Sequence, residues 1–509
     1  MSRLVRSIAL LAALGLAGAA CSTGGEGGGG GGGGGGPTEI TIAIGSEPTT
    51  LDPQLRDDGG ERAVNDNIYE TLMVRTPQGE LQPGLAADFP EQVDPTTWRF
   101  RLREGITFQN GEPFDADAVV ASVERIIDPD FGSEQAGSFF GTITGAEKVD
   151  DLTVDITTSG PDPVLPARMY WMKMVPPEAS QEPDFAENPV GTGPYRFVEW
   201  VRGDHITLEA NPDYWGGAPP IDRVTFRFVA EAGTRLAGLL SGEFDLITNL
   251  LPEDVATVEG AGKQAVAVQG LEHPVIILNV DEGVTADVRV RQALNLAVDK
   301  DALANDLFAG NATVDACQIL SPSWTGFNED LQPYPYDPER ARELIREAGA
   351  EGATIELIGE RGRWLKDGEL LEAVAGYWDA VGINTKLRIF EFDEYLNRLF
   401  GEVRPDAVFV TSSNELLDAS RNLDAYYDPD GIGASNSDAR LNDLLDQARS
   451  ETDPDRREQL YAEATKIACD GAYFVFLLNI NDTYGMSERL SWQPRVDAKL
   501  LVKEMAVTG

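Results

Sequence analysis

The sequence is short of histidine, cysteine and positive charge. Its 509 residues include two histidines, His205 and His273. A histidine-rich metal cluster cannot be built from two, and each is expected on the surface or as a satisfied core residue. Three cysteines with no CxxC pair leave no zinc ribbon and no dithiol redox motif. Lysine and arginine total 41 against 85 aspartates and glutamates, a formal net charge of −44. That deficit argues against nucleic-acid binding by phosphate neutralisation and against docking on an anionic membrane through a basic patch. HExxH, GxSxG, GxxxxGK[ST] and a GxGxxG following a strand are all missing. Gly191-Thr192-Gly193-Pro194 reads as a turn before the strand pattern Tyr195-Arg196-Phe197. Asp428-Pro429-Asp430-Gly431 falls short of a calcium loop and also reads as a turn. So many carboxylates make close pairs a matter of chance, and none marks a glycosidase. Catalytic machinery is therefore not visible, which favours binding over catalysis. No cofactor and no metal site are expected.

What is present describes a folded, exported chain. A 25% charged and 42% hydrophobic composition is ordinary for a globular protein. The length suits two to four domains at roughly 100–200 residues each. Arg3 and Arg6 precede an apolar run from Ile8 to Ala20, too short to span a bilayer comfortably. A basic start, a short apolar stretch and small residues form an export signal. Its end, Leu16-Ala17-Gly18-Ala19-Ala20-Cys21, resembles a bacterial lipoprotein signal, with Gly18 where leucine is usual. Cys21 is then the lipidated new N-terminus; the alternative is plain secretion with a cut after Ala20. The glycine run Gly27–Gly36 lies in a segment, Ser22–Pro37, too poor in apolar residues to fold. It is expected to act as a flexible tether reaching roughly 20–25 Å. In an exported protein the remaining Cys317 and Cys469 are expected to pair, the alternative being two buried free thiols. A bridge would close a long loop, with an entropic benefit of roughly 4–5 kcal/mol.

The body reads as mixed α/β. Ile40–Ile44, Trp98–Leu102 and Val224–Phe228 alternate like strands. Asp337-Pro338 is an N-cap followed by a helix-starting proline, Ala341, Leu344, Ile345 and Ala348 form the buried stripe, and Gly349 ends it. Strand Thr354–Ile358, helix Lys366–Val381, strand Asn384–Ile389, helix Asp393–Phe400 and strand Asp406–Val410 follow. This alternation predicts an open, largely parallel sheet. Asp453-Pro454 opens another helix, and Ala472–Leu478 has strand length.

Several stretches, in family order, carry a resemblance. They are Gly45-Ser46-Glu47-Pro48-Thr49-Thr50-Leu51-Asp52-Pro53, Ile68–Leu72, Leu81–Ala86, Asn188–Tyr195, Asn211–Trp215 and Val288–Leu294. The most specific is Thr97–Phe114, with its strand, turn glycine and helix start at Asp115-Ala116. From about Thr38 to Val502 the chain resembles the extracytoplasmic solute-binding proteins of ABC importers, family 5, which serves oligopeptides, dipeptides and nickel. The resemblance implies an α/β, two-lobed periplasmic-binding-protein-like clamp of class II, cluster C type, with an extra inserted subdomain. Lobe I would comprise 38–52, 186–279 and 486–509, the insert 53–185 and lobe II 280–485, with hinge crossings near Val280 and Asn481. It implies a monomeric, non-enzymatic lipoprotein, held outside the cytoplasmic membrane through Cys21. Such a protein would capture a small, peptide-like solute between its lobes and deliver it to the permease subunits of an ABC transporter. A metal chelate, glycoconjugate or polar metabolite is the alternative cargo, and a secreted hydrolase the rival outside the family.

The same resemblance places Glu47 and Thr49 at the ligand. Relatives often carry Trp-x-x-Asp after the strand called Asp406–Val410, the aspartate pairing with a peptide's amino group. Here the stretch reads Val410-Thr411-Ser412-Ser413-Asn414-Glu415. Ser412, Ser413 and Asn414 thus become site candidates, with Asn414 about where the aspartate would be. That change weakens capture of a free ammonium unless Glu415 or Asp418 substitutes. Arg361 and Arg363, beside Trp364, sit in a polar loop after a strand and would suit a ligand carboxylate; the alternative is a solvated surface pair. Trp324 is a candidate cap over the cleft. Phe392, like Phe390, is a candidate ligand contact or a core residue, and Tyr69 is expected in the core.

Overall fold

The computed structural model describes residues 38–361, 364–399, 401, 404–429, 431 and 438–508, with 392 and 393 by backbone alone. Cys21, the glycine tether and Arg363 lie outside the described residues. Among the described residues no helix is long and apolar enough to cross a membrane.

Two sheets organise the body. The first has eight strands among the described residues, drawn from four separate stretches of chain. Its main path runs Gln264–Gln269, Leu478–Met486, Leu246–Thr248, Glu39–Ile44, Arg223–Phe228, His205–Ala210, Tyr195–Val201, and Ala312–Val314 pairs with the start of Leu478–Met486. Glu39–Ile44 runs parallel to Arg223–Phe228, Glu39 opposite Arg223 and Ile44 opposite Phe228. The second sheet orders Asn384–Phe390, Thr354–Glu360, Ala407–Ser412, His273–Leu278, Phe474–Phe476. Its first three strands are parallel, as the alternating pattern requires. The last two run antiparallel to their neighbours, so the sheet is mixed rather than largely parallel. The reason is connectivity: His273–Leu278 arrives directly from the first sheet instead of through a helical crossover. A four-stranded antiparallel sheet, Glu91–Asp94, Thr97–Arg101, Thr153–Thr158, Ile143–Asp150, makes a separate layer.

Local signals start the helices. Asp337 caps Pro338–Glu347 by accepting the Arg340 amide, and Asp453 caps Pro454–Gly471 through Arg456, each with proline in the first turn. Asp115 accepts from the Asp117 and Ala118 amides to open Ala116–Ile127. At Gly193 the backbone amide donates to Ile68 O at 2.8 Å. A Cβ there would lie 2.5 Å from that oxygen, so the turn needs glycine.

Among the described residues the apolar side chains form five cores. Those of the second sheet sort by alternation: Ile276, Leu278, Ile355, Leu357 and Phe409 face one core, and Val275, Ile277, Ile358, Val408 and Val410 the other. Helices Pro338–Glu347 and Asp367–Ala380 cover one face, and Ala439–Ser450 and Pro454–Gly471 the other. Phe100, Val119, Val123 and Val154 hold helix Ala116–Ile127 on the four-stranded sheet. Ile42, Val64, Ile68 and Phe226 hold helix Gly59–Ile68 on the first sheet, and a smaller core packs helix Ala232–Ser241 on its other side. A disulfide joins Cys317 to Cys469, with Cα atoms 5.4 Å apart.

Two strands belong to other sheets than the expected lobe boundaries imply. His273–Leu278 is in the second sheet and Leu478–Met486 in the first. All six residues of the former are buried, which demands cover on both faces. The latter fills the gap between Gln264–Gln269 and Leu246–Thr248. The chain therefore passes between sheets at 270–272 and at Leu477, ahead of Val280 and Asn481, and also on either side of Ala312–Val314. Asn479 Nδ2 clasps the two crossings, donating to Gly270 O at 3.0 Å and Glu272 O at 3.1 Å. Gly270 permits this approach, since a Cβ there would sit 2.5 Å from Ile480 O.

Candidate functional site

Two cavities, about 620 Å³ and about 400 Å³, adjoin the crossings. Gly59, Arg62, Glu272, Asp482 and Ala498 line both, so the two form one cleft. Its first wall holds Ile44, Thr248 and Asn249, at the carboxyl ends of first-sheet strands. The opposite wall holds Thr411 and Ser413, at the carboxyl end of Ala407–Ser412. Ligands of α/β sheets bind at such strand ends, where backbone diverges and helix starts converge.

Arg62 sits in the first turn of Gly59–Ile68, its guanidinium 4.6 Å above the Trp171 ring. Nη2 donates to Asp57 O at 3.3 Å. Beneath it lies a buried charge set: Lys173 Nζ is 2.8 Å from Asp57 and 3.1 Å from Asp66, and Lys499 Nζ is 3.2 Å from Asp66. Burial pulls the Lys173 ammonium down, but Asp57 and Asp66 outweigh it and hold it above its ordinary value. The set ties the helix to the inserted layer and to the C-terminal tail. Arg235 braces the first wall, donating to the carbonyls of Val229, Ala230, Thr248 and Asn249.

From the opposite wall, Arg421 stacks 5.1 Å from the Phe139 ring, and its Nε lies 3.8 Å from Glu415 Oε2. Glu415 Oε1 accepts from Ser413 Oγ at 3.1 Å. Asp482 projects from the middle of Leu478–Met486. Burial pushes its carboxyl up to about 6 against the pull of Arg62. Arg62 Nε, Thr411 Oγ1, Glu415 Oε2, Arg421 Nε and Asp482 Oδ2 are buried without a hydrogen-bond partner among the described residues. All five residues line the smaller cavity. Native proteins rarely leave such groups unmatched, and several in one cleft indicate a binding surface.

A third cavity, about 460 Å³, lies between the inserted layer and the second sheet's helices, lined by Trp98, Val164, Asp418 and Arg457 among others. Its central charges serve each other: Arg457 grips Asp418 at 2.7 and 2.6 Å.

The sequence-predicted residues divide. Ser413 lines the cleft. Glu47 does not line it: its carboxylate accepts from Trp200 Nε1 at 2.9 Å and the Gly203 amide at 3.1 Å, fastening its loop to a hairpin. Thr49 is exposed and donates through Oγ1 to Glu61 at 2.7 Å. Ser412 and Asn414 are fully buried. Ser412 Oγ accepts from Asn422, and Asn414 Nδ2 donates to Asp418 O at 2.8 Å, so both brace the turn instead of facing ligand. Asp418 caps helix Ala419–Tyr427 and pairs with Arg457, which leaves Glu415 as the carboxylate of this stretch that faces the cleft. Arg361 is a surface residue paired with Glu372 at 2.6 Å. Trp324 is 4% exposed and lies in a core, edge-on to His273 at 5.1 Å, rather than over the cleft. Phe390 packs against that core, the Phe392 side chain lies outside the described residues, and Tyr69 is in the core.

His273 also has the connectivity of a hydrolase triad. Nδ1 is 2.8 Å from Asp315 Oδ1 and Nε2 is 3.0 Å from Ser321 Oγ. His273 and Ser321 are each 1% exposed and line none of these cavities, so no substrate reaches the serine. The array plugs the hinge, with Asn479 Nδ2 3.3 Å from Nε2. His205 is half-buried beside Asp204 and Glu199.

Sequence reasoning missed Arg62, Arg421 and Asp482. Asp482 carried a signal, a lone charge inside an otherwise uncharged strand. Arg62 and Arg421 carried none.

Comparison with known proteins agrees with this architecture. The sequence model described as "Bacterial extracellular solute-binding proteins, family 5 Middle" matches residues 80–434. The glutathione-binding protein GsiB of Salmonella paratyphi A is 33% identical over 321 residues, covering 61% of this chain and 61% of that protein. Heme-binding protein A of Haemophilus influenzae is 28% identical over 456 residues, covering 81% of this chain and 82% of that protein. Among solved structures, NikA from Brucella suis in complex with Fe(III)-EDTA superposes with a TM-score of 0.83 at 23% identity, over 92% of this chain and 100% of that one.

Proposed function

Because this chain belongs to family 5 of the bacterial extracellular solute-binding proteins, we propose that it captures a peptide-like solute and delivers it to the permease of an ABC importer. One observation carries the reading: buried atoms of charged groups of both signs, left without hydrogen-bond partners, converge on a cleft between two sheets. A peptide supplies donors, acceptors and both charges, which a bare ion or a plain sugar does not. Glutathione, the cargo named for a 33% identical relative, is itself a tripeptide. Two histidines in the whole sequence make free nickel a poorer fit than a peptide. The two lobes close over the ligand by bending at 270–272 and at Leu477, and contacts made only in the closed form stabilise it. The protein works as a monomer held outside the cytoplasmic membrane by lipidated Cys21. A metal chelate remains the second reading, because Arg62 and Arg421 also suit a polycarboxylate.

The test is a thermal-shift panel on the full-length protein. It holds peptide pools, glutathione, hemin, sugars, and nickel with and without a chelator. A ligand at 100 times its dissociation constant stabilises by about 2.7 kcal/mol. A shift with peptides or glutathione is expected. A shift with the chelate, hemin or sugars alone replaces the peptide reading.

A further inference from the structure

Arg62 and Asp482 stand together at the junction of the cleft, each lining both cavities. Their charges interact. Yet among the described residues they close no ion pair with each other, and Arg62 Nε and Asp482 Oδ2 each lack a hydrogen-bond partner. The Glu415–Arg421 couple differs. It sits only in the smaller cavity, its members 3.8 Å apart, and Glu415 is partly occupied by Ser413.

A cation and an anion that line the same junction without pairing, both half-buried, favour a ligand that carries the opposite pair. A ligand with one charge would meet one of the two and leave the other's open atom, Arg62 Nε or Asp482 Oδ2, without a partner. An ammonium and a carboxylate on one carbon meet both demands. Guanidinium and carboxylate form a strong charge-assisted contact, and so do ammonium and carboxylate. The N-terminal residue of an ordinary α-linked peptide has the ammonium but has used its α-carboxyl in the peptide bond.

We propose that the junction is a subsite for a free amino-acid head, with Asp482 taking its ammonium and Arg62 its carboxylate, and the rest of the ligand extending toward Glu415 and Arg421. The proposal rests on reading the cleft as a peptide-type site and names the chemistry it selects. It puts the ammonium anchor on the crossing strand of the first sheet, not on the turn after Ala407–Ser412. The cargo class is a compound with an unblocked α-amino-acid terminus, such as a peptide joined through a side-chain carboxyl.

Matched pools of γ-glutamyl and α-glutamyl dipeptides test this. The isomers share composition and charge and differ in whether the head is free. Binding to the full-length protein is measured by calorimetry for wild type, Asp482→Asn, Asp482→Ser and Arg62→Gln. The γ pool should bind wild type at least tenfold more tightly than the α pool. Each substitution should weaken γ binding about 10- to 100-fold and remove most of the γ-over-α preference. Two aspartate variants guard against one that fails to fold, and circular dichroism confirms folding of each. Equal affinity of wild type for both pools, or a preference unchanged in the folded variants, overturns the head assignment and leaves the peptide reading standing. Failure of both pools, with a shift only from the chelate, hemin or sugars, overturns both.

Discussion

Asn414→Asp is the substitution that the pattern of peptide-binding relatives invites, since it restores an acid at about the place where they carry one. The structure says it will damage the protein instead of creating an ammonium site. Asn414 is fully buried, and its Nδ2 donates to Asp418 O at 2.8 Å. A carboxylate cannot donate, so two oxygens would face each other at that distance. The lost bond leaves the Asp418 carbonyl unsatisfied at a cost of about 1–3 kcal/mol, and burying the new charge adds to it. Asp418 itself is held ionised below the usual carboxylate range, because Arg457 and the Ser420 amide and hydroxyl outweigh its burial. A second carboxylate beside it is repelled. A total near 3 kcal/mol should lower the melting temperature by about 6–12 °C, at 2–4 °C per kcal/mol for a domain of 150–250 residues. The pH dependence identifies the cause. Burial raises the new carboxyl above its unfolded value near 4, so the folded form binds the extra proton more tightly. The deficit relative to wild type should therefore be small at pH 4, widen as the pH rises, and level off above the raised pKa. A variant within about 0.5 kcal/mol of wild type at pH 7, or one that gains affinity for free-amine peptides, would refute the reasoning.

Other outcomes follow from the same geometry. Cys317→Ser or Cys469→Ser should cost about 2–5 kcal/mol in denaturant unfolding, with no change in ligand selectivity, because neither residue lines the cleft. Affinity for an ammonium-bearing ligand should fall as the pH drops through about 6, where Asp482 takes up a proton and loses its charge. Arg62 and Asp497 are the charges that act on it, and Arg235, Glu272, Glu415 and Arg421 line the same cleft. A bound cation lowers its pKa, so binding should release a proton near that pH, seen as a buffer-dependent heat in calorimetry. Cys21→Ser should move the protein from the membrane fraction to the soluble one and leave ligand affinity intact.

The fold was legible where its signals are local. Asp337-Pro338 and Asp453-Pro454 announced helix starts because cap and proline act within one turn. The alternation of strands Thr354–Ile358 and Asn384–Ile389 with helices announced parallel neighbours, and the two do pair in parallel. What could not be read was which sheet His273–Leu278 and Leu478–Met486 join, since pairing depends on partners over 100 residues away. The site was harder for the same reason. Arg62, Arg421 and Asp482 come from separate stretches of chain and meet only in the folded protein. Asn414 and Ser412 looked like ligand contacts because the resemblance set them where relatives carry Trp-x-x-Asp; here their hydrogen bonds serve the turn itself.

The five apolar cores have a consequence for how this body tolerates change. None of Arg62, Glu272, Thr411, Glu415, Arg421 and Asp482 belongs to any of them. Replacing Thr411, Glu415 or Asp482 alters charge and shape at the junction without truncating an apolar core, whereas Arg62 and Arg421 also cover the Trp171 and Phe139 rings. The scaffold thus separates what holds it up from what it recognises, and new cargo can be selected by redrawing the cleft over an unaltered frame.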